Sequence, residues 1–201
     1  MLKAGTFPTR EVFTKDLVLR RRPGSGTIIA RPQGSCGEGI LIMPAILVLG
    51  LGNIIMRDEG LGVRACERLT QRYRLPDVVT VLDGGTLGLD LLPYLEGVTD
   101  LLILDALNAG HPPGTIVRLE NDQIPQTLAL KMSMHQVGLQ ELLAVTSLRG
   151  QTLPHMVLLG MEPLLIEPGL DLSEPVQANL DALVESVVAE LRSWGVPVSL
   201  A

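Results

Sequence analysis

The run Ile46-Leu-Val-Leu-Gly-Leu-Gly-Asn-Ile-Ile-Met-Arg-Asp-Glu-Gly60 decides the fold. Its first part, Ile46–Gly50, is short, wholly apolar and closed by glycine, the pattern of a strand buried on both faces. Residues 60–74 follow with Val63, Cys66 and Leu69 at helical spacing between Arg and Glu. A buried strand turning at once into an amphipathic helix begins an α/β unit.

The same alternation continues along the chain. Val78–Leu82 reads as a second strand, closed by Asp83-Gly-Gly-Thr86. Leu87–Tyr94 carries an apolar face suited to a short helix, weakened by Gly88 and Pro93. Leu101–Leu104 is a third strand ending in Asp105, and Thr115–Leu119 a fourth. His135–Leu148 fits a helix, and Met156–Leu159 a fifth strand. Ser173 is placed as an N-cap with Pro175 in the first turn. Val176, Leu180, Leu183, Val184, Val187, Val188 and Leu191 then form one stripe, ended by Gly195 and Pro197. The expected fold is a single three-layer α/β domain: a mostly parallel twisted sheet with helices on both faces.

Composition narrows the function classes. The chain has 201 residues, 46% hydrophobic and 19% charged, enough apolar material for a packed core. Only five aromatic residues occur, Phe7, Phe13, Tyr73, Tyr94 and Trp194, too few for a base-stacking platform. A net charge of −6 argues against a general nucleic-acid binder. No apolar run is long enough to span a membrane. Cys36 and Cys66 are too few for a disulfide scaffold or a thiolate zinc site, so a reducing, cytoplasmic setting is expected.

The net charge hides a seam. Residues 1–42 hold seven positive and three negative side chains, +4; the remaining 159 hold nine and nineteen, −10. Residues 20–39 contain two Pro and five Gly, a linker-like composition. The division is therefore 1–42, a basic Pro/Gly-rich extension, and 43–201, the α/β domain. The extension reads as a flexible tail, as a small ordered addition, or as residues preceding a natural start at Met43.

Ligands of open α/β sheets sit beyond the carboxyl ends of the strands. A dinucleotide fingerprint after the first strand fails, because the third glycine of G-x-G-x-x-G would fall on Ile55. Asp58 and Glu59 would also set two negative charges against a pyrophosphate. A tight glycine turn with Asp58 as helix cap explains much of this segment, but leaves Glu59 unused. Asp83-Gly-Gly-Thr86 is either an ordinary turn or a loop that a ligand approaches closely. Asp105 either caps a neighbouring loop or faces the working edge. His135 is either structural or a ligand, whereas His111 and His155 keep structural readings. Cys66, on an apolar helical face, reads as core. Together Glu59, Asp105 and His135 make two carboxylates and an imidazole from three segments, a donor set suited to Zn²⁺ or Ni²⁺ with open positions.

Several ordered motifs carry a resemblance. They are Ile46–Asn53 followed by Asp58-Glu-Gly-Leu-Gly-Val-Arg64, Leu82–Thr86, Leu104-Asp-Ala106, Pro113-Gly-Thr115, His135-Gln-Val-Gly138 and Leu159-Gly-Met-Glu-Pro163. Between Ile46 and Trp194 the chain resembles the hydrogenase maturation proteases, endopeptidases of [NiFe]-hydrogenase large subunits. The resemblance implies removal of a C-terminal peptide from the nickel-loaded precursor. It implies metal binding by Glu59, Asp105 and His135, with the Asp83 loop nearby; Glu162 matches a family position without an assigned role. The metal is expected to be nickel carried by the substrate, with zinc or another divalent ion able to take its place. Two chemistries follow: hydrolysis assisted by the metal with Asp83 or a free carboxylate as base, or the favoured reading of the metal as a recognition element. The expected partner is the large-subunit precursor, with no nucleic acid and no membrane insertion, and a monomer is expected. The alternative is a metal-binding or chaperone-like module that cuts nothing. An NAD(P)-dependent oxidoreductase is disfavoured by Ile55, Asp58 and Glu59.

Overall fold

A computed structural model describes residues 17–21, 28–32, 41–42, 45–128, 134–150, 153 and 155–201; side chains are described for 45–127, 138–150, 153 and 155–201. Strands β1 (Leu17–Arg21), β2 (Ile28–Pro32) and β3 (Leu41–Ile42) form an antiparallel sheet in the order β1-β2-β3. Residues 20–39 thus include strand backbone within a stretch of linker-like composition. The β-branched pair Ile28–Ile29 gives that stretch its extended preference.

The main sheet has five strands. They are β4 (Ile46–Leu51), β6 (Val79–Gly85), β7 (Asp100–Ala106), β8 (Ile116–Glu120) and β9 (His155–Met161), ordered β6-β4-β7-β9-β8. The pairs β4–β6, β4–β7 and β7–β9 are parallel. The edge strand β8 runs antiparallel to β9, so the sheet is mixed as well as mostly parallel.

Helices α1 (Leu61–Arg72) and α4 (Glu174–Ser193) cover one face. Ile46, Val48, Leu102, Leu104, Val157 and Leu159 meet them there. A 3₁₀ helix at Gly88–Leu95 and the helices α2 (Gln123–Leu128) and α3 (Met134–Leu148) cover the other. Leu47, Leu49, Leu101, Ile103 and Leu158 meet Leu91, Leu95, Ile124, Leu139 and Leu142. Strand residues alternate between the two cores with the period of two that a sheet imposes. The three-layer expectation holds.

Several local expectations change. Residues 60–74 are not one helix: α1 stops at Arg72, and β5 (Tyr73–Arg74) pairs antiparallel with β10 (Ser199–Leu200) near the chain's end. The second strand runs on through Asp83, Gly84 and Gly85, because β4 continues to pair with it. Helix α2 was not read from the sequence at all. Pro125 lies in its first turn, where a missing N–H costs nothing.

The amino edge of the sheet holds a polar cluster. His155 Nδ1 lies 3.0 Å from Asp100 Oδ1 across the β7–β9 pair, and its Nε2 lies 3.5 Å from Glu120. The Trp194 ring stacks edge-on against His155. The structural reading of His155 is correct. No helix among the described residues is long and apolar enough to cross a membrane.

Candidate functional site at the carboxyl edge

The connection after β4 carries α1 over one face and leads to β6 on one side of β4, whereas the connection after β7 leads to β8 towards the other side of the sheet. The strand order therefore reverses between β4 and β7, the place beyond whose carboxyl ends open α/β sheets take their ligands. Glu59, Asp83 and Asp105 originate from β4 and its two neighbours, whereas Glu162 follows β9. Gly50 at the end of β4 is in register with Asp83 of β6 and with Leu104 of β7. With strands just under ~5 Å apart, the Cα atoms of Asp83 and Leu104 are roughly 10 Å apart.

Asp105 follows Leu104 and is fully buried at the end of the central strand. Glu59 lies in a 3₁₀ turn, Arg57–Gly60, between β4 and α1 and is half-buried. Asp83 is exposed. His135 is the second residue of α3, but its side chain lies outside the described residues. What can be followed is its motif partner Gly138. A Cβ there would come within 3.0 Å of the Gly88 Cα, so α3 packs backbone to backbone against the segment after Asp83–Thr86. Among the described residues no group of three His, Cys, Asp or Glu could hold a metal ion; that set excludes the His135 side chain.

The glycines of the first loop are filled by the chain itself. Gly52 has φ +115°, and a Cβ on it would fall 1.7 Å from the Glu59 carbonyl oxygen. A Cβ on Gly62 would fall 2.1 Å from the Leu104 carbonyl oxygen. The loop folds back on β4, and α1 starts against the end of β7. These glycines serve close packing of the chain on itself.

Asp58 corrects an expectation. The turn that contains it has no side-chain cap hydrogen bond, so Asp58 does not cap the helix it precedes. Its fully buried carboxylate reaches instead to the segment after β9. Oδ2 accepts from the Leu164 and Leu165 amides (2.9 and 2.8 Å) and from the Ser173 hydroxyl (2.7 Å), and Oδ1 from the Ser173 amide (2.6 Å). Four donors satisfy a buried charge that would otherwise be very costly. Further backbone bonds join the two segments: Arg57 N–H to Gly169 O, Gly169 N–H to Ile55 O and Asp58 N–H to Leu165 O. Arg57, held at φ 47°, pairs with Glu167 at 3.2 Å.

Glu162 now has a structural role. Its buried Oε2 accepts from the amides of Ala109 and His111 at 2.8 and 3.1 Å. It thereby holds the loop that follows Asp105. Neither partner was legible in sequence, since the donors are backbone amides far along the chain. Cys66 is core, as expected: burial, reinforced by the Asp83 carboxylate, pushes its thiol up to about 12, so it is no nucleophile at neutral pH.

Comparison with known proteins agrees with this architecture. Residues 63–190 match the family model described as hydrogenase maturation protease. The chain is 45% identical over 156 residues to the hydrogenase expression/formation protein HupD of Bradyrhizobium diazoefficiens, covering 77% of this chain and 81% of that protein. It is 41% identical over 152 residues to the hydrogenase 2 maturation protease of Escherichia coli, covering 75% and 93%. The solved structure of the hydrogenase maturating endopeptidase HybD from E. coli superposes with a TM-score of 0.75 at 40% identity, covering 79% of this chain and 98% of that one. These matches set aside the oxidoreductase and the module without cleavage activity. The chain is a peptidase and belongs to the hydrogenase maturation protease family.

Proposed function

We propose that this endopeptidase removes the C-terminal peptide from the nickel-loaded precursor of a [NiFe]-hydrogenase large subunit. In this reading Glu59, Asp105 and His135 recognise the nickel that the substrate carries. The observation that carries it is topological. Glu59 follows β4 and Asp105 is the penultimate residue of β7, two adjacent parallel strands from which the chain leaves in opposite directions along the sheet, to β6 and to β8. The donor chemistry fits: two carboxylate oxygens and one imidazole nitrogen suit Ni²⁺ or Zn²⁺ and leave positions for groups already on the metal. Asp83, exposed on β6 with β4 between it and the strand of Asp105, is the candidate base for the attacking water.

The test compares nickel-loaded and nickel-free precursor, each with and without chelator. Cleavage of the loaded form alone is expected. Equal cleavage of both forms would remove the recognition role. Glu59→Gln, Asp105→Asn and His135→Ala are each expected to abolish processing. Intact processing in Glu59→Gln and His135→Ala would overturn the site assignment.

A further inference from the structure

The two segments latched together by Asp58 expose large apolar side chains where loops ordinarily expose polar ones. Ile54 and Ile55, after β4, are 40% and 58% exposed; Leu164, Ile166 and Leu170, after β9, are 50%, 49% and 63% exposed. Hydrogen bonds make them neighbours. Gly169, next to Leu170, bonds to Ile55, and Leu164 and Leu165 bond to Asp58. The two backbones run side by side, so one double loop carries all five exposed apolar side chains, an apolar ridge.

The ridge is prevented from collapsing inward. The buried Asp58 carboxylate ties three residues of the far segment at four points, and Arg57 remains in a left-handed conformation that a non-glycine residue rarely adopts. An apolar surface held rigidly in water is the usual form of a binding site.

We propose that this ridge docks an apolar segment of the polypeptide substrate, flanking the bond to be cut. The proposal rests on the reading of the carboxyl edge as the processing site. Continuity with that edge identifies the occupant. Glu59 is four residues past Ile55 in the same latched loop between β4 and α1, so the ridge adjoins the candidate site in the chain. Charge argues against an anionic lipid surface. The nearby Arg57 is matched by Glu167, Asp171 adjoins Leu170, and residues 43–201 carry −10 overall.

The experiment uses the full chain and nickel-loaded large-subunit precursor. The double variant Ile55→Glu/Leu170→Glu is compared with Leu200→Glu, an equally exposed leucine in β10 outside the ridge. Loss of two buried apolar contacts should raise KM about tenfold or more, with kcat held. Leu200→Glu should leave both unchanged. Unaltered melting temperatures in both variants exclude simple misfolding. Glu59→Gln, run in parallel, separates the two claims: it acts on cleavage irrespective of the ridge. If Glu59→Gln abolishes processing while the ridge variant keeps the wild-type KM, docking is wrong and the site reading stands. If the ridge variant raises KM while Glu59→Gln still cuts, docking stands and the site reading falls. Light scattering covers the other occupant. A wild-type dimer that the ridge substitutions dissociate, with KM unchanged, would overturn the proposal in favour of self-association.

Discussion

The Ser173 amide and hydroxyl both donate to the carboxylate of Asp58, at 2.6 and 2.7 Å, across 115 positions of sequence. This pair joins the first loop of the sheet to the last. Ser173 stands at the N-terminus of α4, and its carbonyl accepts from Gln177 while its hydroxyl is turned to Asp58 instead of back to its own helix. One buried carboxylate therefore fixes the start of α4, the segment after β9 and the turn bearing Glu59.

Replacing Asp58 by Asn removes the charge and turns an amide group toward donors. A buried network losing one ionic acceptor is expected to lose about 3 kcal/mol of stability. Urea denaturation of Asp58→Asn against wild type measures it. A change below about 0.5 kcal/mol would mean that the latch is not a stabilising feature.

Glu162→Gln tests the second clamp. The two amides it holds, Ala109 and His111, belong to the loop after Asp105. Weaker neutral hydrogen bonds should cost about 1 kcal/mol and release that loop locally. Hydrogen exchange read by NMR should show faster exchange at Ala109 and His111, with amides of β4 unaffected.

Gly62→Ala addresses close packing. The added methyl would meet the Leu104 carbonyl oxygen, which is backbone and cannot rotate away. Helix α1 must then lift from β7. We expect a destabilisation of at least about 3 kcal/mol, or recovery only in insoluble form. A variant as stable as wild type would refute the contact.

The Arg118–Glu190 pair predicts a pH dependence. Arg118 donates to both oxygens of Glu190, at 2.8 and 3.0 Å, and holds its carboxyl below the ordinary value of 4.5. A carboxyl depressed in the folded state binds protons more readily when unfolded. Its contribution is therefore full above the unfolded value and is lost as pH falls through the folded one. Glu190→Gln should narrow the difference in stability between pH 6 and pH 3. An acid limb identical to wild type would show that Glu190 contributes nothing to it.

Cys66→Ala should leave processing intact. A thiol pushed up to about 12 supplies almost no thiolate at neutral pH, and its place is in the α1 core. The cost should be limited to packing, about 1 kcal/mol. Loss of processing with an unchanged melting temperature would instead give Cys66 a part in the reaction.

The amino-acid sequence by itself determined the layers and the strand ends at which the candidate carboxylates lie. Ile46–Gly50, Leu101–Leu104 and Met156–Leu159 read as buried strands because burial on both faces requires continuous apolar runs, and α4 announced itself through its stripe. The carboxylates Glu59, Asp83 and Asp105 were legible because each follows or ends such a run. Tertiary structure decided what local periodicity cannot encode. It turned β8 antiparallel, ended α1 at Arg72 by pairing Tyr73–Arg74 with β10, and gave Asp58 its partners after β9 instead of in its own helix. It also gave Glu162 the amides of a loop fifty residues earlier in sequence, and filled the glycine loop with the chain's own carbonyls. Hydrophobic pattern records how deeply a residue is buried. The partner of a buried charge is chosen by which distant backbone amides the fold brings within reach, and no spacing along the chain carries that information.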